Sequence, residues 1–204
     1  YRRQRQMCIR DRHWRARFAG GVLRGLTLQR INLTQPAAGR ALLRLERVRQ
    51  LVADSPSPDT PILVAEGKLI ESIAGFDIHR GVLACGNRPD LDSQSLDSIL
   101  PEADEPATVL ICDRINNIDN IGMLFRIAAA FGVDAMVLDP ACHDPLYRKS
   151  LRVSIGHALR IPFVRSHDWL ADIDDLRHSH GFTVVGSAIS DHSSSLDTYA
   201  LPQD

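Results

Sequence analysis

Two rhythms run along the chain. Short apolar runs bounded by polar turns mark strands, and apolar residues three or four apart mark helix faces. They succeed each other most clearly from Ala107 to Phe163. ATVLIC (Ala107–Cys112) is an apolar run of strand length. Asn116, Asn117, Asp119 and Asn120 then form a polar turn rich in helix-capping residues. Ile121–Phe131 predicts a helix that Gly132 stops. DAMVL (Asp134–Leu138) is a second strand. Asp144 and Pro145 supply an N-cap and a first helical residue, and Tyr147–Leu159 continues as one helix closed by Pro162.

Upstream, Arg40–Ala53 predicts an amphipathic helix with Leu45, Val48 and Val52 on one face and Arg44, Arg47 and Arg49 elsewhere. Ser55–Pro61 is a loop, Ile62–Ala65 a strand, Glu66–Ala74 a short helix and Arg80–Cys85 a strand. Leu96–Leu100 closes a further short helix, and Pro101–Pro106 is a Pro-rich acidic linker. Downstream of Phe163 come a helix (Asp168–His178), a strand (Phe182–Ile189) and a polar loop (Asp191–Ser195). Residues 13–39 carry Arg15, Arg17, Arg24 and Arg30 among Gly and apolar residues, and no function is assigned to them.

Alternating strands and helices with tight connections imply an α/β fold around a parallel sheet. Ligands of such sheets bind at the carboxyl ends of strands. The Asn-rich turn after Cys112 stands at such an end, and it holds more Asn and Asp than one cap needs. Gly122 removes a side chain where a ligand backbone would approach, and Arg126 lies one turn further along. A well-capped helix, a packing glycine and a solvated arginine explain the same residues equally well.

Composition sets the remaining bounds. The 204 residues, 44% of them hydrophobic, suffice for one or two domains with buried cores. No apolar run approaches membrane-spanning length, and no signal-peptide pattern is visible. Residues 13–50 hold eight arginines against one glutamate, a net of +7, whereas residues 51–204 hold 11 Lys/Arg against 23 Asp/Glu, a net of −12. A basic front on an acidic body reads either as an RNA footprint or as a solvated helix face. Cys8, Cys85, Cys112 and Cys142 lack CxxC spacing, which argues for free buried thiols and against zinc or a disulfide framework. His178 and His180 beside Asp174 and Asp175 read as a polar helix end and not as a metal site, because residues two apart do not share a helix face.

NIDNIGMLFRIAAAFGVDAMVL resembles the first motif of the SpoU/TrmH family of RNA ribose 2'-O-methyltransferases, in the SPOUT superfamily. DPLYRKSLRVSIGHALRIPF resembles that family's second motif. The resemblance implies a parallel-sheet domain of the trefoil-knot type over residues 107–204, with residues 101–106 as linker. VAEGKLIESI in turn resembles part of the small L30e-like α/β domain that many members carry in front, here residues 40–100, as an RNA substrate-binding domain. The implied reaction transfers a methyl group from S-adenosylmethionine to a ribose 2'-hydroxyl of tRNA or rRNA, in a cytoplasmic homodimer that needs no metal and no membrane.

Carried over motif by motif, Asn120 and Arg126 are the catalytic positions. Because a guanidinium stays charged, Arg126 is read as anchoring a phosphate and stabilising the developing alkoxide. Asn117, Arg148, Lys149, Arg152 and Arg160 are assigned to RNA. Arg148, Arg152 and Arg160 recur at multiples of four with Gly156, as one face of a helix; their alternative is pairing with Asp144 or other surface acids. Ser154 and Gly156 match the second motif near the dimer interface and cofactor pocket. Ser187 and Ala188 correspond to a strand end that contacts the cofactor.

The sequence departs from the family at both ends. No Gly–Glu–Gly loop and no Ser–Leu–Asn segment follow the polar loop, so the domain is expected to lack its C-terminal knot segment and to bind cofactor poorly, if at all, as a truncated product. Tyr1–Arg12 resembles translated sequencing-adapter sequence and is set outside the fold; a basic RNA-binding arm is its alternative. A non-catalytic RNA-binding module of the same fold is the second functional reading. A nucleotide-binding dehydrogenase is disfavoured, because GxGxxG after a strand is absent.

Overall fold

The computed structural model describes residues 6–10, 28–34, 40–54, 58–77, 82–88, 94–101, 106–195 and 198–199, with side chains from residue 45 onward apart from residue 82. Arg15, Arg17 and Arg24 of the basic front and the acidic centre of the linker, residues 102–105, lie outside it. In chain order the elements are β1 (Gln6–Arg10), β2 (Leu28–Thr34), α1 (Arg40–Ala53), β3 (Ile62–Ala65), α2 (Gly67–Ala74), β4 (Val82–Asn87), β5 (Val109–Cys112), α3 (Ile118–Phe131), β6 (Ala135–Leu138), α4 (Arg148–Val153), a 3-10 turn (His157–Leu159), β7 (Phe163–Arg165) and α5 (Trp169–His178).

The strands form two sheets, ordered β1-β4-β2-β3 and β5-β6-β7. In the second, both pairings are parallel, with Leu110 beside Met136 and Val137 beside Val164. The central strand β6 is buried at all four positions. That is why AMVL is continuously apolar: both faces of a parallel strand are covered by helices. Met136 and Leu138 face α3, where Ile121, Phe125 and Ala128 join the larger core. Ala135 and Val137 face the other way, toward Leu176 of α5. Phe125 meets Phe163 edge-to-face, with centroids 5.2 Å apart.

The first sheet is mixed. β2 runs parallel to β3 through the α1 crossover, and β4 runs antiparallel to β2. β2 lies in the segment to which the sequence assigned no element, so the small unit begins before residue 40. The alternation of Ile31 and Leu33 with Arg30, Asn32 and Thr34 carried that strand signal. Gln6–Arg10, expected to stand outside the fold, pairs antiparallel along the edge strand position beside β4. α1 spans its expected range, and Val48, Leu51 and Val52 are buried and join the core of the second sheet. Leu96–Leu100 is a turn and not a helix. Leu96 and Ile99 pack on the second sheet's outer face with Val137, Val164 and Leu176, so this stretch belongs to the C-terminal unit despite preceding the linker.

Three further expectations are corrected. The helix predicted over Tyr147–Leu159 ends at Val153. Ile155 N donates to Arg152 O (3.2 Å) and Gly156 N to Leu151 O (2.8 Å), the paired bonds of a Schellman stop. Ile155 and Gly156 both have positive φ, 53° and 72°. Helical spacing therefore does not extend to Arg160, and the four-residue row of Arg148, Arg152, Gly156 and Arg160 is not one helix face. Asp144 caps a turn, with its Oδ1 accepting from Leu146 N (2.9 Å), while Tyr147 stands at the N-cap of α4. The strand expected at Phe182–Ile189 is a segment without regular secondary structure outside both sheets, exposed after Phe182. Only Phe182 packs, against the outer core; an apolar run becomes a strand when a neighbour takes its backbone groups, and these residues pair with no described strand.

Candidate RNA-modifying site at the strand ends

Because β5, β6 and β7 run parallel, the loops after them emerge at one edge of the sheet. The first enters α3. Asn117 is its N-cap, with extended backbone and Oδ1 accepting from the amides of Asp119 (2.8 Å) and Asn120 (3.0 Å). The cap ties down two of the first-turn amides that a helix leaves without intrahelical partners. At the far end Gly132, at φ 72°, supplies the left-handed C-cap.

Asn120 and Arg126 are both exposed on α3. Six residues put them roughly 120° apart around the helix. The two side chains therefore stand on different parts of the helix surface, along the stretch that begins at the Asn117 cap. Among the described residues neither side chain has a hydrogen-bond or ionic partner.

Of the two roles open to Gly122, ligand approach and packing, the structure supports packing. A Cβ there would lie 2.8 Å from both Ser150 O and Val153 Cβ. The glycine lets α3 and α4 touch, and it opens no space for a ligand. Two polar links reinforce that contact: Lys149 Nζ bonds Asp119 Oδ2 at 2.7 Å, and Ser150 Oγ reaches Ile118 O at 3.4 Å.

The residues assigned to RNA are dispersed. Lys149 is tied to Asp119. Arg148 lies over the Phe76 ring, 4.6 Å from its centroid, and so bridges to the first unit. Asp144 pairs with Arg88 and not with the neighbouring arginines. Arg152 and Arg160 are exposed and carry no ionic contact among the described residues. Asn117 keeps its amide nitrogen available while its oxygen caps the helix.

The cofactor candidates divide similarly. Ser154 is fully buried; its Oγ donates to Leu151 O (3.0 Å) and accepts from Gly156 N (3.0 Å). Together with Gly156 it builds the helix stop, so these side-chain and backbone groups are engaged internally. Ser187 and Ala188 are exposed, and Ala188 O accepts from Ser193 Oγ at 2.9 Å. Of the four, only Ser187 and Ala188 have groups accessible to a cofactor.

Sequence reading missed the loop scaffold beneath this edge. Ile115 N donates to Cys142 Sγ (3.3 Å), the Cys142 thiol donates to Cys112 O (3.1 Å), and His143 N donates to Ile115 O (2.8 Å). Burial pushes the Cys112 thiol up to about 12, with Cys142 adding to the shift. Burial also raises the Cys142 thiol, against hydrogen bonds from Ile115 and Asp139 that lower it. Both sulfurs stay protonated at neutral pH. Cys85, Cys112 and Cys142 are buried free thiols, as expected. A further cluster joins Asp97, Asp175 and His180, with His180 Nε2 3.1 Å from Asp97 and 3.5 Å from Asp175. Asp97 could not be placed there from sequence, because it arrives from the other side of the linker.

Residues 107–204 match the model of the SpoU rRNA methylase family. An uncharacterised tRNA/rRNA methyltransferase of Mycobacterium tuberculosis is 35% identical over 139 residues, 68% of this chain and 46% of that protein. The 23S rRNA (guanosine-2'-O-)-methyltransferase RlmB of Coxiella burnetii is 30% identical over 148 residues, 71% of this chain and 57% of that protein. The chain thus spans about half the length of these curated relatives. Its fold is similar to an AdoMet-bound rRNA methyltransferase from Sinorhizobium meliloti (TM-score 0.62, 20% identity, 83% of this chain and 58% of that one). It is also similar to the SpoU methyltransferase AviRb from Streptomyces viridochromogenes in complex with AdoMet (TM-score 0.61, 21% identity, 87% and 61%).

Proposed function

From the match of residues 107–204 to the SpoU rRNA methylase family, we propose that this protein acts in ribose 2'-O-methylation of tRNA or rRNA with S-adenosylmethionine (AdoMet) as methyl donor. The observation that carries the reading is the first motif's geometry. Asn117 caps α3 at the carboxyl edge of a parallel sheet, and Asn120 and Arg126 stand exposed along that helix.

AdoMet supplies an electrophilic sulfonium methyl group. Ser187 and Ala188 are the residues proposed to hold it. Arg126 binds the phosphate next to the reacting ribose and stabilises negative charge growing on the 2'-oxygen. It remains a cation throughout, so it acts by charge and position and not as a base. Asn120 donates to or accepts from the ribose from the first turn. Arg152 and Arg160 extend the RNA contact along the surface; Arg148 and Lys149 contribute through the contacts they already make with Phe76 and Asp119. The front unit, expected over residues 40–100 and here taken as residues 40–88 with the strands before it, is assigned to gripping RNA.

We place the protein in the cytoplasm as a homodimer. No helix among the described residues is long and apolar enough to cross a membrane. Met123, Ile127 and Phe131, four residues apart on α3, form an exposed apolar ridge beside Arg126, the kind of surface a second copy buries.

RNA binding without transfer is the second reading. It draws on Ser187 and Ala188 lying in an exposed segment that joins neither sheet. Incubating the protein with rRNA or tRNA and methyl-labelled AdoMet, then mapping label by ribose-specific cleavage, separates the two. The transfer reading expects 2'-O-methyl nucleotides. Salt-dependent RNA binding with no label incorporated supports the second reading instead.

A further inference from the structure

Arg165 closes β7 at the same sheet edge as the Asn117 turn. Its Nη1 faces three backbone carbonyls of one loop: Asp139 O at 3.3 Å, Pro140 O at 3.0 Å and Cys142 O at 2.9 Å. Three converging carbonyls make a patch of partial negative charge, and a permanently charged guanidinium satisfies it at every working pH. The loop is closed from inside as well. Asp139, nearly buried, accepts from Ala141 N through Oδ1 (2.7 Å), and its backbone oxygen accepts from Cys142 N (3.0 Å).

This loop carries the groups that hold the first motif. Cys142 Sγ accepts from Ile115 N, and His143 N donates to Ile115 O. Ile115 is therefore pinned through both of its backbone polar groups, two residues before the Asn117 cap. Its neighbour Arg114 sits at φ 48°, a left-handed conformation that a non-glycine residue holds only when its surroundings enforce it.

We propose that Arg165 is a positioning residue for methyl transfer: it anchors the Asp139–Cys142 loop, which fixes Ile115 and so sets the entry of α3 that aims Asn120 and Arg126. The catalytic consequence rests on the transfer reading above; the structural link does not. Nothing about Arg165 requires contact with RNA or cofactor.

The test is residue-resolved hydrogen exchange on the whole chain, for wild type, Arg165→Met, Arg165→Lys and Cys142→Ala. In Arg165→Met, the Ile115, Cys142 and His143 amides are expected to exchange at least about tenfold faster, while the Met136 and Val137 amides of the central strand stay protected. Arg165→Lys, whose ammonium brings three donors, is expected to recover part of that protection. Cys142→Ala removes the sulfur link alone and is expected to release Ile115 without touching β7. It decides the matter if Arg165→Met unfolds.

Methyl transfer is read in parallel. Arg165→Met is expected to lower kcat about tenfold with little change in KM for RNA. Unchanged exchange at Ile115 in Arg165→Met and Cys142→Ala overturns the link. Faster exchange with unchanged kcat overturns the positioning role. A wild-type chain that shows the exchange pattern but transfers no methyl group defeats the transfer reading, and the catalytic consequence with it, while the link itself stands.

Discussion

The two motif regions, α3 with its turns and the Arg148–Arg160 stretch, carry equally strong helical patterns, yet only one forms the single helix it predicts. α3 runs from its Asn117 cap to its Gly132 stop. The second stretch breaks after Val153 and resumes as a 3-10 turn. The difference lies in where the stopping information sits. For α3 it is local: a capping side chain before the helix and a glycine after it. In the second region the glycine stands in mid-pattern, where Gly156 N reaches back five residues to Leu151 O in the Schellman stop and Ser154 Oγ adds a second acceptor to the same amide. Burial of Leu151, Ser154, Gly156 and Ala158 then seats the broken segment against α3 and the sheet.

Gly122, where the two regions touch, gives the largest expected effect. Gly122→Ala places a Cβ 2.8 Å from backbone and from the Val153 side chain, neither of which moves freely. Overpacking of this kind costs about 1–3 kcal/mol. Denaturant unfolding should show that loss despite alanine's better helix propensity. Stability equal to wild type would mean that α3 and α4 are not held this closely.

Next comes the strain at the break. Ile155 is β-branched at φ 53°. Ile155→Gly should relieve roughly 1–2 kcal/mol of backbone strain. Loss of a half-buried side chain and greater unfolded-state freedom offset part of it. Relative to Ile155→Ala, which keeps the strain, the glycine variant should be the more stable by about 1 kcal/mol. If Ile155→Ala is the more stable, the segment is helical and the break described here is wrong.

Removing the local signal from α3 should cost less. Asn117→Ala leaves the Asp119 and Asn120 amides without their acceptor, at a cost of about 1 kcal/mol. Asn117→Asp should retain nearly all the stability. Equal losses in both variants would detach Asn117 from the cap.

The smallest effect at neutral pH concerns Cys112. Its folded thiol titrates near 12 against an ordinary value of 9.0. Between those values the unfolded chain loses a proton that the folded chain keeps, so stability is full below about pH 9 and falls as pH rises, by at most about 1.4 kcal/mol per unit. Cys112→Ala should flatten the alkaline limb of a stability-versus-pH curve and leave the neutral region without any slope change.

The legible parts of this molecule are those whose signals are short-range. The α1 helix, β3, β6 and both caps of α3 follow from periodicity and turn chemistry within a few residues. β7 was unread because PFVR is short and follows a proline, and its strand character comes from pairing with β6. Phe182–Ile189 shows the converse: strand-like composition without a described partner. At the site, the Asn117 cap follows from turn chemistry, whereas Asn120 and Arg126 stand out through the first motif's resemblance, since spacing alone allowed a capped helix and a solvated arginine equally well. Arg165, Cys142 and the Phe76–Arg148 contact are not, because each joins residues more than twenty positions apart. For Gly122 the sequence left ligand approach and packing open, and it does not say that α4 is the element that packs there.

The most direct test of the central claim is Arg126→Ala in the methyl-transfer reaction, with AdoMet binding measured separately. Loss of the charge proposed to act on the developing alkoxide should lower kcat by about a hundredfold or more. AdoMet affinity and the thermal midpoint should stay within error of wild type, because Arg126 is exposed and supports no described contact. An Arg126→Ala protein that methylates RNA at the wild-type rate would contradict the account.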